Sequence, residues 1–294
     1  MGDGGHSGHR RVVAVTGAST GIGRAVVSRL LESGFTVYAG VRREEDGVSL
    51  RKEADERFGD SGALRILYLD VTDEAQVAAA AERVNAELDG GHFHGVVNNA
   101  GIAVAGPMEF LPLEDLRRQL DVNVVGQVAV AQAFLPLVRE RPGRLVFVGS
   151  VSGLISSRLL GAYAASKFAL EAVADAFRRE LAPHKVKVSV VEPGRIATPI
   201  WEKSLGEGLA RMDEMVPKAR EYYGWLVKDL AAGAAFAARH GTRPEAVAHA
   251  VYRALTERRM RTRYFVGSDA HFINVLRRVL SDPILDRVVN SSGR

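Results

Sequence analysis

The stretch Thr16-Gly17-Ala18-Ser19-Thr20-Gly21-Ile22-Gly23 lies between a short β-branched run and a segment with helical periodicity. Residues 11–16 predict a buried strand, and residues 21–32 predict a helix with one apolar stripe. Glycines at such a turn let the backbone approach a phosphate closely, and the free N–H groups at the helix N-terminus attract its charge. The turn therefore predicts a pyrophosphate-binding site, with a purely structural tight turn as the alternative.

The same alternation of short β-branched runs and longer helical stretches continues along the chain. Strands are predicted over residues 11–16, 35–41, 64–69, 95–98, 144–148, 186–191 and 263–266. Helices are predicted over residues 21–32, 74–88, 113–139, 161–181 and 244–258. Strands that alternate with helices of crossover length predict an α/β fold, a doubly wound parallel sheet of the Rossmann type.

The predicted sheet forms a single domain over residues 11–294. Residues 1–10 are polar and rich in glycine and histidine, and we expect them to be disordered. Residues 199–243 interrupt the alternation with proline, glycine and aromatic residues, and we interpret them as an inserted helical lid. The tail over residues 272–289 is predicted to be helical and packed, with a break at Pro283.

The composition of the 294 residues is that of an ordinary globular protein, with 47% hydrophobic and 25% charged residues. The absence of cysteine excludes disulfides, thiolate metal sites and cysteine nucleophiles. Acidic residues are interleaved with the basic ones, so the net charge of +4 does not indicate nucleic-acid binding. We expect no membrane span and no secretory signal, and therefore a soluble, cytoplasmic protein.

One cluster of basic residues is denser than the rest, Arg258, Arg259, Arg261 and Arg263. We interpret it as solvated surface, with a contact to an anionic membrane or a nucleic acid as the alternative. His92 and His94 have a spacing that metal ligands can have, but they are predicted to lie in a glycine-rich loop without further ligands. No metal site is therefore expected.

Further motifs follow the glycine turn in a fixed order, at the ends of later predicted strands and on later helices. They are Asp70-Val71, Asn98-Asn99-Ala100-Gly101, Asn123, Ser150, Tyr163-x-x-x-Lys167, Pro193-Gly194 and Thr198. Together with the spacing Gly-x-x-x-Gly-x-Gly, this set resembles the short-chain dehydrogenase/reductase family over residues 11 to about 267. The segments around Asp70-Val71, Lys167–Glu171 and Tyr264–Ala270 are similar to the steroid and retinoid dehydrogenase branch of that family.

Tyr163 and Lys167 are four residues apart on a predicted helix, so their side chains project from one face. A free tyrosine has a pKa of about 10 and is a poor base at neutral pH. One ammonium group at about 4 Å, in an effective dielectric of about 20, contributes about 4 kcal/mol, enough to bring that pKa to about 7. We therefore predict that Lys167 lowers the pKa of Tyr163 and that Tyr163 exchanges a proton with a substrate oxygen.

The resemblance implies a nicotinamide cofactor and roles for individual residues. It assigns substrate orientation to Ser150, acid/base work to Tyr163, ribose binding to Lys167 and a proton-relay water to Asn123. Each of two roles has an alternative. Ser150 could be a turn residue, with Ser152 as the competing substrate-binding serine. Asn123 could be a buried polar group that only satisfies its neighbours. The implied cofactor-binding residues are Gly17, Ser19, Thr20, Gly21, Ile22, Gly23, Arg42, Asp70, Val71, Asn99, Ala100, Gly101, Tyr163, Lys167, Pro193, Gly194, Ile196 and Thr198.

The end of the second predicted strand bears on the choice between NAD(H) and NADP(H). A fold that selects NAD places an acid there to bind the ribose 2′-hydroxyl, whereas this chain has Val41-Arg42-Arg43. Arg42, with Arg43 and Ser19 near it, could bind a 2′-phosphate. Glu44 and Glu45 are interpreted as solvated loop acids. NADP(H) is therefore the preferred cofactor, and NAD(H) is possible.

Aromatic residues cluster in the predicted lid, which contains Trp201, Tyr222, Tyr223, Trp225 and Phe236. They indicate an apolar wall for a bulky lipophilic alcohol or carbonyl substrate, or else a small subdomain that packs its own core or a dimer partner. The rival to an enzyme is a regulatory protein that senses NAD(P) without catalysis. The resemblance also implies a homodimer or homotetramer formed through the helices near residues 113–139 and 161–181.

Overall fold

The computed structural model describes residues 11–59, 62–88, 91–198, 200 and 217–291. Seven parallel strands form one sheet in the order β3-β2-β1-β4-β5-β6-β7. They are β1 (Arg11–Val15), β2 (Thr36–Val41), β3 (Leu64–Tyr68), β4 (His92–Asn98), β5 (Arg144–Val148), β6 (Lys187–Pro193) and β7 (Arg263–Val266). The prediction of a single doubly wound parallel sheet is confirmed.

Helices cover both faces of the sheet. They are α1 (Gly21–Glu32), α2 (Glu44–Phe58), α3 (Glu74–Ala86), α4 (Leu113–Leu120), α5 (Gly126–Glu140), α6 (Gly161–Glu180), α7 (Pro217–His240), α8 (Pro244–Thr256), α9 (Ser268–Val279) and α10 (Asp282–Ser291). One π-helical turn, Asp121–Val125, joins α4 to α5. Helices α1, α2 and α8 pack against one face, and α3, α5 and α6 against the other, so each face of the sheet has its own hydrophobic core.

Local sequence signals explain the boundaries of several helices. Gly34, which follows α1, adopts a φ of +77°, a conformation that glycine accepts without steric cost. Asp73 caps α3, because its Oδ1 accepts hydrogen bonds from the N–H groups of Ala75 and Gln76, both at 3.0 Å. A glycine just after a helix and an aspartate just before one are sequence signals typical of helix ends.

Three predictions about secondary structure are wrong. Residues Glu44 and Glu45 do not lie in a loop but in the first turn of α2, a helix that the periodicity missed. His92 and His94 do not lie in a glycine-rich loop either, because β4 begins at His92, three residues before the predicted start. The tail forms two helices that separate just before Pro283, but it is largely exposed rather than packed.

The segment Leu113–Glu140 is long and apolar enough, by length and composition alone, to cross a membrane. Half of its most apolar stretch is buried inside the fold, where α5 packs against β4 and α3. Core helices of soluble proteins pass the same test. The segment is therefore weak evidence for a membrane span.

Candidate active site

The glycine turn lies where the strand order reverses, since β1 has β2 on one side and β4 on the other. Gly17 has a φ of +65°, and a Cβ added there would lie 2.7 Å from Ala100 Cα. A Cβ on Gly23 would collide with the carbonyl oxygen of Gly17. Asn99 fixes the turn, because its Nδ2 donates to the carbonyl oxygens of Thr16 and Gly17, both at 3.0 Å. Glycine is therefore required at both positions by the close approach of backbone.

The first turn of α1 has the features of an anion-binding helix start. The side chain of the N-cap residue Thr20 makes no capping hydrogen bond, and the first turn contains no acidic residue. Thr20, Gly21, Ile22 and Gly23 all line a cleft at the carboxyl edge of the sheet. The free N–H groups and the helix dipole therefore favour a phosphate there, which is the fit that a dinucleotide requires.

The cleft, with a volume of about 280 Å³, is lined by residues from the ends of most strands. Every residue that the sequence analysis assigned to the cofactor lines it, together with Ser150. Among the residues predicted to form the site, Asn123 alone does not line the cleft. The remaining lining residues were not predicted, and they are Gly40, Val41, Leu69, Ile102, Ala103, Arg118, Val122, Val148, Gly149 and Ile200.

Two neighbouring arginines at the end of β2 differ in their surroundings. Arg42 is exposed and lines the cleft, together with Ser19. Arg43 is held outside it by ion pairs to Asp46, at 2.9 Å, and to Glu45, at 2.8 Å. The expectation that Arg43 assists Arg42 is therefore wrong, because the acids at the start of α2 neutralise it.

The carboxylate of Asp70 is held at the end of the loop that follows β3. Its Oδ1 accepts hydrogen bonds from the N–H of Thr72 at 3.0 Å and from its Oγ1 at 2.7 Å. Burial acts to raise the pKa of Asp70, but these bonds and the attraction of Arg42 outweigh it, so that the pKa is lowered. Asp70 is therefore an ionised, fixed acceptor at the wall of the cleft.

Ser150, Tyr163 and Lys167 meet at the opposite end of the cleft, where α6 starts beside the end of β5. The side chains of Ser150 and Tyr163 are hydrogen-bonded to each other. The Nζ of Lys167 lies 5.8 Å from the centroid of the Tyr163 ring and donates to the carbonyl oxygen of Val148 at 2.8 Å. All three residues are buried. Ser152 does not line the cleft and only donates its backbone N–H to Ser150 Oγ.

The prediction that Lys167 brings the pKa of Tyr163 toward neutrality is wrong for the chain itself. Burial raises the pKa of Tyr163 to about 12, and the hydrogen bond to Ser150 only partly opposes this effect. The carboxyl of Glu192 raises it further. Burial also lowers the pKa of Lys167 to about 8, so this side chain is still mostly an ammonium group at pH 7. Tyr163 is therefore a protonated phenol near pH 7.

Asn123 lies in the π-helical turn, and neighbouring groups occupy its side chain. Its Oδ1 accepts from the N–H of Ile102, and its Nδ2 donates to the carbonyl oxygen of Ile102 and to Ser166 Oγ, all at 2.9–3.0 Å. Ser166 Oγ in turn donates to the carbonyl oxygen of Tyr163 at 2.7 Å. The side chain thus satisfies its neighbours and ties this turn to the helix that carries Tyr163, and the proton-relay role stays a prediction.

The structure describes the predicted lid only in part. Trp201 lies outside the described residues. On α7, the side chains of Tyr222, Trp225 and Phe236 are 51%, 55% and 50% exposed, and they do not line the cleft. Tyr223 donates its hydroxyl to Glu109 at 2.7 Å. In the described part of the chain, these aromatic residues therefore neither line the cleft as an apolar wall for a substrate nor pack into a hydrophobic core of their own.

No group of three or more histidines, cysteines or acids that could hold a metal occurs among the described residues. His94 contacts the carbonyl oxygen of Leu255 through Nε2, and burial lowers its pKa to about 4. The Nε2 atom of His94 is thus occupied by a backbone carbonyl at the end of α8. The ring centroids of His92 and His94 lie 5.7 Å apart at the start of β4.

Three comparisons with known proteins agree with this geometry. A family model described as short chain dehydrogenase matches residues 11–207. A 3-amino-tetrahydro-pyrrolizinone reductase from Xenorhabdus hominickii is 40% identical over 214 residues, which cover 73% of this chain and 71% of the relative. Human 17-beta-hydroxysteroid dehydrogenase type 1 is 37% identical and human retinol dehydrogenase 5 is 33% identical. These two alignments cover 97% and 94% of this chain, and 85% and 87% of the relatives.

A solved structure extends the similarity to the whole fold. The short-chain dehydrogenase from Burkholderia cenocepacia, in complex with NADP, is 25% identical and superposes with a TM-score of 0.72. The match covers 95% of this chain and 97% of that one. The similarity therefore extends over nearly the whole chain.

Proposed function

The chain belongs to the short-chain dehydrogenase/reductase family, within its steroid and retinoid branch, and from this premise we propose that it is an NADP(H)-preferring oxidoreductase that acts on a lipophilic alcohol or carbonyl compound. Members of the family are NAD(P)-dependent oxidoreductases, so hydride transfer with a nicotinamide cofactor is the activity. The single observation that carries the proposal is the Ser150–Tyr163 hydrogen bond, beside Lys167, in the cleft of the glycine turn.

The proposed roles follow from where each side chain lies. When bound, the nicotinamide supplies a hydride to a carbonyl carbon or accepts one from an alcohol carbon. Tyr163, a phenol that keeps its proton at neutral pH, would donate that proton to the substrate oxygen in the reductive direction. Ser150 would hold the same oxygen through its hydroxyl. Lys167, fixed by the carbonyl oxygen of Val148, would bind the cofactor ribose.

The preference for NADP(H) is supported by the charges at the end of β2. Arg42 lines the cleft, and among the described residues it makes no ion pair shorter than 4 Å. Glu44 and Glu45 do not line the cleft, so neither is placed to bind a ribose 2′-hydroxyl. A guanidinium at this position fits a 2′-phosphate, which it can bind through two parallel hydrogen bonds.

The substrate class, assembly and location are also proposals. A lipophilic substrate is supported by the names of the steroid and retinol relatives. The assignment of residues 199–243 as a substrate lid stays a prediction. A homodimer or homotetramer is supported by exposed apolar side chains next to and on the proposed helices, such as Val125 and Phe168. We also propose a cytoplasmic location for the protein.

NADPH oxidation, followed by absorbance, tests the proposed function against a panel of steroids, retinals and long-chain ketones. We expect turnover of at least one lipophilic carbonyl compound, with the reverse reaction for the corresponding alcohol and NADP⁺. Short hydrophilic ketones serve as the matched controls. Binding of NADPH without turnover of any member of the panel would favour the rival, a regulatory protein that senses the cofactor.

A further inference from the structure

Glu192 is a fully buried acid directly behind the wall of the cleft. It is the sixth residue of β6 and precedes Pro193 and Gly194, which line the cleft. Its carboxyl lies against the end of β5, because a Cβ built on Gly149 would be 2.6 Å from Glu192 Oε2. Gly149 is the residue before Ser150. The carboxyl is therefore packed against the backbone that carries one of the proposed substrate-binding groups.

The charged and titratable groups around this carboxyl come from two elements. Helix α6 presents Lys167 and Glu171, one turn apart, and β7 presents Arg263. Arg263 is neutralised by α6, since its Nη2 lies 2.6 Å from Glu171 Oε2 and 3.2 Å from Asp175 Oδ1. β5 contributes only backbone at the contact with Gly149. Among the described residues, Glu192 makes no ion pair shorter than 4 Å.

The carboxyl groups of Glu192 and Glu171 have few hydrogen-bond donors around them in the described part of the chain. Both carboxyl oxygens of Glu192, and Oε1 of Glu171, are buried and have no donor among the described residues. The two side chains nevertheless lie within hydrogen-bonding reach of each other. Two carboxylates cannot bond to each other, and two buried like charges repel strongly, whereas an acid and a carboxylate share one proton. Burial and Glu171 accordingly raise the pKa of Glu192 well above its ordinary value.

Glu192 acts on the site through its charge. It is the largest charged influence that raises the pKa of Lys167, and it also raises the pKa of Tyr163. An ionised Glu192 would stabilise the ammonium and destabilise the phenolate, and a protonated Glu192 would do neither. The protonation of this acid is therefore coupled to the protonation of both side chains.

We propose that Glu192 and Glu171 form a carboxyl pair that shares one proton behind the cleft, and that Glu192 is a positioning residue. Once that proton is lost at alkaline pH, the charge of Glu192 extends to higher pH the range in which Tyr163 keeps its proton. The inference rests on the proposed function, because it concerns the proton that Tyr163 would donate. It adds two residues, on β6 and α6, that do not touch the cleft.

Infrared difference spectroscopy at neutral pH, without cofactor or substrate, tests the shared proton. The wild-type protein should show the C=O band of one buried protonated carboxyl. Glu192→Gln should lose it, because Glu171 then ionises beside Arg263. Glu171→Gln should shift it, because the proton on Glu192 loses its carboxylate acceptor while burial still favours the protonated acid. Asp175→Asn, which removes the other acid bound to Arg263, is the matched control and should keep the band. A wild-type spectrum without the band, or a band left unchanged in either glutamine variant, overturns the pair.

The pH profile of kcat/KM for carbonyl reduction tests the action on Tyr163. In Glu192→Gln, the alkaline limb should move to lower pH by about half a unit to one unit. Glu192→Asp should restore it in part, and Asp175→Asn should leave it in place. A merely structural role would lower kcat/KM at every pH without moving the limb, and that result overturns the proposal. If Glu192→Gln fails to fold, the wild-type and Glu171→Gln spectra decide, and neither depends on turnover.

Discussion

The two arginines that follow β2 differ in their partners although they are adjacent in sequence. Arg43 is bound to Asp46 and Glu45, whereas Arg42 lines the cleft. That no acid occupies the end of β2 could be read directly from the sequence. The different partners of Arg42 and Arg43 could not be predicted, because the acids that bind Arg43 lie in the first turn of α2, and the apolar periodicity did not indicate this helix.

Arg42→Asp should lower the ratio of kcat/KM for NADPH to that for NADH. A charge-assisted contact to a phosphate contributes about 1.5–3 kcal/mol, so the expected change is about tenfold to a hundredfold. Arg43→Ala is the matched control, and its ratio should stay within a factor of about two, because Arg43 already has its partners. An unchanged ratio in Arg42→Asp would show that the NADP(H) preference is wrong.

At the scale of the elements, the parallel sheet and the helix that bears Tyr163 could be predicted because their apolar periodicity is regular. Helix α2 could not, since only Gly47, Leu50 and Ala54 are buried along its fifteen residues. The π-helical turn that holds Asn123 leaves no periodic signal either. Glu192 had a signal, an acid inside an apolar strand, but its burial and its pairing with Glu171 depend on tertiary contacts.

Gly23→Ala tests the start of α1 as a phosphate site. The new Cβ would collide with the carbonyl oxygen of Gly17, so the turn must open. We expect the Kd for NADPH, from fluorescence titration, to rise at least about tenfold, and the Tm to fall. Gly233→Ala on α7, where a Cβ meets nothing within 4 Å, is the matched control. It should leave the Kd unchanged and slightly raise stability, by up to about 1 kcal/mol. Wild-type affinity in Gly23→Ala would contradict this site.

At the scale of the whole molecule, the end of α8 is fastened to the middle of the sheet by two basic side chains. Arg144, on β5, donates to the carbonyl oxygens of Ala254 and Glu257 at 2.6 and 2.8 Å. His94, on β4, contacts the carbonyl oxygen of Leu255. Helix α8 also packs against α1, so these contacts hold together the half of the protein that carries the glycine turn.

Acid should weaken the folded state through His94. Its pKa falls from 6.5 to about 4 on folding, mainly because of burial, so the unfolded chain binds more protons between these values. The stabilisation is complete above pH 6.5 and is lost as the pH falls toward 4, by about 2 kcal/mol near pH 5. Urea unfolding of wild type and His94→Gln at several pH values measures the difference. A wild-type stability that falls no more steeply than that of the variant would refute this assignment.

The most direct test of the account is the rate of NADPH oxidation by Tyr163→Phe with a carbonyl substrate that the wild-type protein turns over. This change removes one hydroxyl from a buried ring and leaves the glycine turn and Arg42 intact. We predict that the Kd for NADPH stays within a factor of about three and that kcat falls by a factor on the order of hundreds or more. Turnover by Tyr163→Phe at the wild-type rate would contradict the proposal that this phenol donates the proton.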